Sequence, residues 1–305
     1  MSVRGSSRND SAHQEHHAFV AEHVDRYFAT AIKRQHIYQR RKTGKDPVSG
    51  KPYVIKGIGH WTTDPIFQEF RFCNVYREQD TVTEWVDFHI RKRFEDHPDL
   101  WFMLALARFT NYIPTLTVLE HAGLFNRWNS KAAVKALNKI EGKVFTSAYI
   151  INGALGGPKI EQIMSKVLDP LYKDPPPRIA TTLEDTFNQF LPYMGLGKFM
   201  VYEIVSDYRH TRYLKNAPDI LTWANAGPGA KRGLNRLLGM DKRSPLSIPS
   251  MLSMMQELLR LSRRAIPKWM PAWEMREVEH WLCEYDKYER VRLGQGRPRQ
   301  KFKGG

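Results

Sequence analysis

Arginine and aspartate side chains alternate with apolar ones in the stretch from Arg71 to Arg91. On a helical wheel the apolar residues fall on one side, and the charged residues, Arg77 and Asp80 among them, fall on the other. Guanidinium groups bind phosphate oxygens, and a nearby carboxylate can hold a guanidinium in position. The charged side therefore either lines a cleft, where Arg71 and Arg77 hold a phosphate and Asp80 positions them, or it simply faces solvent.

Acidic side chains recur near the C-terminus, in the strongly helical segment 273–290. Glu279, Cys283 and Asp286 share the border of its apolar stripe at spacings of i, i+4 and i+7, and His280 adjoins them. Two carboxylates on one helix face can act as a base and its orienting partner. Salt bridges to neighbouring arginines are the alternative interpretation.

Residues 183–210 predict a helix-hairpin-helix, two short helices joined by Met194-Gly195-Leu196-Gly197. The glycines permit positive φ and bring backbone N–H groups close to a ligand above the turn. The second helix points its positive N-terminal end at the same place, and Lys198 adds a full charge. This arrangement suits a phosphate of a nucleic-acid backbone. An ordinary glycine turn between two core helices is the alternative.

The charge of the whole chain favours a polyanionic partner. Its 305 residues contain 47 Lys and Arg against 32 Asp and Glu, a net charge of +15. The glycine-rich entry at Gly227-Pro228-Gly229 brings Lys231, Arg232 and Arg236 to a predicted helix start, which again suits an anion. No apolar run approaches the roughly 20 residues of a membrane span, and two cysteines without metal or disulfide spacing suit a reducing cytoplasm.

Helical periodicity dominates the chain and predicts an all-α fold. We expect one helical domain over residues 17–290 with a cleft between two lobes, preceded by a disordered tail (1–16) and followed by a basic tail (291–305). A long helix from His17, a short helix begun by Asp64-Pro65 and a buried helix between Pro98 and Asn111 are its clearest elements. Residues 144–153 fit a short strand or, as we predict, a buried helix turn.

Motifs for common cofactors are absent from the sequence: there is no zinc signature, Walker loop, dinucleotide fingerprint or Ser/His/Asp spacing. The helix-hairpin-helix is, however, the signature part of base-excision DNA glycosylases, in which a catalytic aspartate follows a Leu-Pro-Gly-x-Gly hairpin. Residues 191–197 resemble that hairpin, and Asp219 matches the aspartate in placement. Ala217-Pro218-Asp219-Ile220 departs from the Val-Asp-Thr context of that family, which puts N-glycosidic cleavage in doubt.

A closer resemblance covers residues 67–290. The stretches Asn74 to Asp80, Trp223 to Asn235 and Arg276 to Tyr288 look like a bacteriophage DNA-hypermodification group. That group contains the helical domain of hydroxymethyluracil DNA kinases and the amino acid:DNA transferases, also called α-glutamyl/putrescinyl thymine pyrophosphorylases. Because the sequence shows no phosphate-loop kinase motif, the free-standing transferase is the better match.

The resemblance implies a reaction on double-stranded DNA in the cytoplasm of an infected bacterial host. An amino acid or polyamine displaces pyrophosphate from a modified thymine, pyrophosphorylated 5-hydroxymethyluracil, after the base has left the stack. Arginines would stabilise the departing pyrophosphate and a carboxylate would accept the proton of the amine. No cofactor is firmly implied and no protein metal ligands are predicted, while a divalent metal at the pyrophosphate stays open.

Site residues follow from these patterns and the resemblance together. The predicted catalytic residues are Arg77, Asp80, Glu279, Asp286 and Asp219, with the general base not singled out. The predicted substrate-binding residues are Arg71, Asn74 and Asn225. The predicted DNA-binding residues are Gly195, Gly197, Lys198, Lys231, Arg232 and Arg236. Two alternatives remain, a helix-hairpin-helix glycosylase for a modified pyrimidine and a non-catalytic DNA-binding partner of a hydroxymethyluracil DNA kinase.

Overall fold

Helices make up all the regular structure in the computed structural model, which describes residues 18–53, 61–146, 156–193 and 195–302. Within these ranges strand-like pairing is confined to isolated bridges, Lys45 with Pro52 and Phe70 with Lys301. The all-α prediction is therefore confirmed. None of the helices in these ranges combines the length and the apolar character that crossing a membrane requires.

The helices follow one another with short connections. They are α1 (Ala21–Thr43), α2 (Pro65–Glu69), α3 (Thr81–Val86), α4 (Leu100–Thr110), α5 (Ile113–His121), α6 (Ser130–Leu137), α7 (Lys159–Glu161), α8 (Asp169–Lys173), α9 (Leu183–Phe190), α10 (Lys198–Tyr208), α11 (Pro228–Leu237), α12 (Ile248–Ala265) and α13 (Met275–Arg292). A 3-10 turn at Arg77–Gln79 precedes α3, and π-helical turns at Asp87–Arg91 and Gln162–Leu168 follow α3 and α7.

Local signals set several helix ends. The Asp64 carboxylate accepts the N–H groups of Ile66 and Phe67, which starts α2 as predicted. Every residue of α4 is buried, as its uniformly apolar sequence predicts. Residues 144–146, predicted as part of a buried helix turn, lie outside any helix, and residues 147–155 are not among those described. The predicted start of α1 at His17 likewise falls outside the described ranges, and the helix begins at Ala21.

Residues 300–302 of the basic tail contact the domain through their main chain. The last helix, α13, continues to Arg292, and the chain then returns to the end of α2. There Phe302 N–H donates to the Glu69 carbonyl at 2.9 Å, and the Arg71 N–H donates to the Gln300 carbonyl at 3.1 Å. These main-chain hydrogen bonds hold residues 300–302 against the domain.

The predicted helix-hairpin-helix consists of α9 and α10. Gly195 adopts φ +83, in the left-handed region that glycine occupies without strain, and a side chain there would also meet Val167. Gly197 is the N-cap of α10, and Lys198 begins the helix at the surface. Met194 in the connecting turn is not among the described residues.

Close packing of α11 against α13 fixes the position of the last helix. A methyl group on Gly233 would lie 2.4 Å from the carbonyl oxygen of Leu282, so only glycine allows this approach. An ion-pair group secures the same contact, because the buried carboxylate of Asp286 accepts from Arg232 Nε at 2.8 Å and from Arg236 Nε at 2.7 Å. The helix pair is therefore held by steric fit and by charge.

Gly233→Ala tests this contact. Replacing glycine by alanine inside an unobstructed helix stabilises it by about 0.5–1 kcal/mol. Here we expect the opposite sign, a loss of about 2–3 kcal/mol in the free energy of unfolding, because the backbone of α13 must move. Urea denaturation measures this change in the free energy of unfolding. A gain in stability would show that the two helices do not meet in this way.

Candidate active site

Charged side chains from three distant parts of the chain form one continuous ion-pair network, which we call the arginine–carboxylate cluster. It runs through Asp80, Arg77, Glu203, Arg276 and Glu279. Arg77 Nη1 donates to Asp80 Oδ2 at 3.0 Å, and Arg77 Nε donates to Glu203 Oε2 at 3.2 Å. Arg276 donates from Nη2 to Glu203 Oε1 at 2.8 Å and from Nη1 to Glu279 Oε2 at 3.3 Å. Glu203 thus joins two arginines.

Each member of the cluster is positioned by a defined element. Arg77 begins the 3-10 turn before α3, while Glu203 lies in α10 and Arg276 lies in the first turn of α13. The turn that carries Arg77 and Asp80 is closed by Asn74, whose Nδ2 donates to the Gln79 carbonyl at 2.6 Å. The Asn74 N–H also donates to Asp80 Oδ1 at 3.0 Å. The first predicted stretch therefore forms a rigid turn.

Burial and charge act against each other at Glu203, whose side chain is only 5% exposed. Burial alone would raise the pKa of Glu203, but the guanidinium groups of Arg77 and Arg276 hold that pKa well below its ordinary value. The ring of Tyr202 packs 4.7 Å from the Arg276 guanidinium and shields it further. The centre of the cluster is therefore a carboxylate that stays ionised between two fixed cations.

Glu279 differs from Glu203 in its surroundings. Burial raises the pKa of Glu279 to about 7, and Arg276 opposes that rise only in part. The thiol of Cys283 lies 3.8 Å from Glu279 Oε1 and is its other polar neighbour on α13. A carboxylate that exchanges its proton near neutral pH is suited to general acid–base chemistry.

A small cleft opens beside the cluster and is lined almost entirely by charged groups. Arg108, on α4, crosses it and donates from Nε to Asp207 Oδ2 at 2.7 Å. The residues that line the cleft are Arg77, Glu78, Arg108, Glu203, Ser206, Asp207, His210, Arg276 and Glu277. Burial raises the pKa of Glu277 to about 7 as well. Both arginines of the cluster line this cleft, which has room for about one water molecule.

Two of the predicted catalytic carboxylates are bound elsewhere. Asp286 lies seven residues beyond Glu279, about 10 Å along α13, and is held by the arginines that join α11 to α13. Both oxygens of Asp219 accept backbone N–H groups, from Leu183 and Glu184 at 2.9 Å each, so it caps α9. The structure brings Arg77, Asp80 and Glu279 together and does not bring these two carboxylates to them.

The remaining predicted residues occupy several different places. Asn74 adjoins the cluster, whereas Arg71 is exposed and Asn225 donates to the Lys198 carbonyl at 3.5 Å. Lys198 is exposed at the hairpin, and Lys231 is half-buried on α11. Arg236 is buried and Arg232 is partly exposed, and both contact Asp286. Arg232 and Arg236 were predicted to bind DNA. Their charges instead pair with Asp286 and stabilise the packing of α11 on α13.

Sequence reasoning missed Glu203 and Arg276, the centre of the cluster. A signal for Glu203 was present, because it stands in the run Val-Tyr-Glu-Ile-Val, where a lone acidic residue among apolar ones indicates a buried and paired charge. Arg276 is the first residue of the resembling stretch Arg276 to Tyr288, but it was not predicted as a site residue. The ion-pair partners that join these residues to the cluster lie far away in the chain, so the local sequence does not indicate them.

Glu203→Gln tests the central position. Removing this charge leaves two buried guanidinium groups facing a neutral amide, so we expect a loss of about 3 kcal/mol in the free energy of unfolding at pH 7. The pKa of Glu203 is depressed in the folded state, so its stabilisation is present above the ordinary glutamate pKa and is lost as the pH falls through the lower, folded value. The gap between wild type and variant should therefore narrow in acid.

Glu257→Gln provides the matched control. Glu257 also pairs with an arginine, Arg260, but at an exposed position on α12, where such pairs contribute less than about 1 kcal/mol. Thermal or urea unfolding across pH 3 to 8 measures the free energy of unfolding of both variants and of the wild type. Equal losses in the two variants would contradict a central role for Glu203.

Comparison with known proteins adds one match. The family model described as the helical domain of 5-hmdU DNA kinase matches residues 21–297. No curated protein and no solved structure matches the chain. The matched range contains the whole arginine–carboxylate cluster and the hairpin helices α9 and α10. The chain therefore belongs to the family of 5-hmdU DNA kinase helical domains.

Proposed function

We propose that this protein modifies 5-hydroxymethyluracil in DNA by transferring an amine onto the pyrophosphorylated base. In this reaction the amine nitrogen forms a bond to the exocyclic methylene carbon. The bond from that carbon to the pyrophosphate oxygen breaks, the electron pair leaves with pyrophosphate, and the amine proton passes to a carboxylate. The single observation that supports it best is the arginine–carboxylate cluster, in which two of the three resembling stretches meet.

Stabilisation of the leaving group falls to Arg77 and Arg276 in this proposal. Pyrophosphate carries several negative charges, and guanidinium groups that are already fixed stabilise such charge without reorganisation. Glu203 holds both groups before substrate arrives, one on each of its oxygens. Both arginines also line the cleft, which would have to widen before phosphate oxygens could reach them.

We assign the general base to Glu279 rather than Asp80. Both oxygens of Asp80 accept strong hydrogen bonds, one from the Asn74 N–H and one from Arg77. Glu279 is held through Oε2 by Arg276, while Oε1 lies beside the weak donor Cys283 Sγ and the backbone of Gly227. An attacking amine must lose a proton, and the pKa of Glu279, which burial raises to about 7, suits this carboxylate to accept it.

In this proposal the N-terminal end of α10, next to the hairpin turn, contacts DNA. Lys198 and the backbone at Gly197 lie at the surface. A methyl group added to the Gly197 α-carbon would meet no atom within 4 Å. Glu203 lies five residues further along the same helix, about 7.5 Å away along its axis. A phosphate held at the helix N-terminus would thus lie close to the cluster, as a base swung out of the duplex requires.

Nucleoside mass spectrometry tests the reaction. The protein is incubated with DNA containing pyrophosphorylated hydroxymethyluracil and a panel of amino acids and polyamines. We expect one amine adduct, and we expect Glu279→Gln to lower its rate by about 100- to 10,000-fold while DNA affinity stays within a few-fold. Glu257→Gln, at an exposed position on α12, serves as the control and should retain the rate.

Other products would identify the alternatives. Abasic sites formed without any need for pyrophosphorylated DNA would indicate a glycosylase. Tight binding to hydroxymethyluracil DNA with unchanged base masses for every amine would indicate a non-catalytic DNA-binding domain that serves a kinase.

Lys198→Gln tests the DNA-binding surface. Each phosphate contact that a protein gives up lowers the slope of log affinity against log salt by about 0.9. We therefore expect weaker binding to all duplex sequences and a slope smaller by about 0.9–1. Fluorescence anisotropy at several salt concentrations measures this slope, with Lys135→Gln on the exposed face of α6 as the control. Equal effects of the two substitutions would remove the hairpin from the interface.

A further inference from the structure

We propose that Cys73, Asp80 and His280 form a binding site for a divalent transition-metal ion, with zinc as the preferred ion. One candidate ligand atom from each residue, a thiol sulfur, a carboxylate oxygen and an imidazole nitrogen, lies within 4.8 Å of the others. Ligands on one zinc ion lie at about 2.0–2.3 Å from the metal. Closing the group around an ion therefore needs only small side-chain movements.

The donor types select the metal. A thiolate and an imidazole favour zinc over magnesium and calcium, which bind through oxygen alone. Three protein ligands leave a fourth tetrahedral position open, the pattern of zinc sites that act on a bound molecule rather than only supporting a fold. All three side chains are partly exposed, so an ion can reach them from solvent.

The main chain of one residue, Asn74, orients two of the three ligands. The Asn74 N–H donates to Asp80 Oδ1 at 3.0 Å, and the Asn74 carbonyl lies 3.1 Å from His280 Nε2. When Nε2–H donates to that carbonyl, the lone pair lies on Nδ1, which is then the nitrogen available to a metal. Histidine ligands of metals are held in this way by a carbonyl or carboxylate on the other nitrogen.

Three cations lie near the proposed ligands: Arg77, Lys287 and the buried Arg34, which interacts with the charges of Asp80 and Cys73 and donates to Asn74 Oδ1. The adjacent cations Arg77 and Lys287 are each paired with a further carboxylate, Arg77 with Glu203 and Lys287 with Glu284 at 2.7 Å. The backbone N–H of Cys73 also donates to Glu284 Oε2 at 2.9 Å, which fixes the main chain of this ligand. A Cys73 thiolate and the Asp80 carboxylate together supply the two negative charges that balance a divalent ion.

The site shares Asp80 with the arginine–carboxylate cluster. An ion held there would lie beside Arg77, with its open position available to an oxygen of the substrate. This placement rests on the proposed function, but the metal site itself does not, because binding is measured without DNA.

Cobalt substitution tests the site in the 305-residue protein. Co²⁺ bound to a thiolate gives a charge-transfer absorption in the near ultraviolet, and the chain has only two cysteines. We expect one equivalent of Co²⁺ to produce this band in metal-free protein and Zn²⁺ to remove it. Cys73→Ser should abolish the band, whereas Cys283→Ser should keep it.

A second variant tests the site through a different ligand, and a folding check accompanies each variant. His280→Gln should weaken binding of Co²⁺ by more than about 100-fold, since even loss of an outer-sphere partner costs 10- to 100-fold, and circular dichroism checks that each variant folds. Absence of the band in folded wild-type protein at saturating Co²⁺, or a band that survives Cys73→Ser, overturns the site. Failure of amine transfer with an intact cobalt band would overturn only the proposed function.

Discussion

The pairing of one buried carboxylate with two arginines is the interaction on which the rest of this site depends. Glu203 would be unfavourable in the interior by itself, because burying an isolated charge costs far more than a single hydrogen bond returns. Arg77 and Arg276 offset that cost from opposite sides, and each reaches Glu203 from a different part of the chain. The turn at residues 74–80, α10 and α13 must therefore all be in place before Glu203 is paired on both of its oxygens.

The supporting helices explain how that geometry is kept. Contact of Gly233 with the backbone of Leu282 and the pairing of Asp286 with arginines of α11 fix α13 along its length. Steric contact between backbones is short-ranged and tolerates little displacement, so α13 can present Arg276 and Glu279 at constant positions. The exposed end of α10, by contrast, is the surface that we propose contacts DNA.

Sequence periodicity predicted most of the fold, and local spacing indicated three members of the arginine–carboxylate cluster. Arg77, Asp80 and Glu279 were predicted as site residues because their charges stand out on helical wheels with one apolar side. Asp286 and Asp219 have the same residue type and similar surroundings in sequence, but their partners, on α11 and at the start of α9, are set by tertiary packing. Glu203 and Arg276 were missed for the same reason, since each depends on a partner far away in the chain.

The main chain of Asn74 has a consequence for how this protein tolerates substitution. Its N–H and carbonyl hold Asp80 and His280, and any residue other than proline supplies both groups. The turn that positions these groups depends on the side chain as well, because Asn74 Nδ2 donates to the Gln79 carbonyl. Substitution at position 74 would therefore act on Asp80 and His280 through the shape of the turn rather than through loss of these two hydrogen bonds.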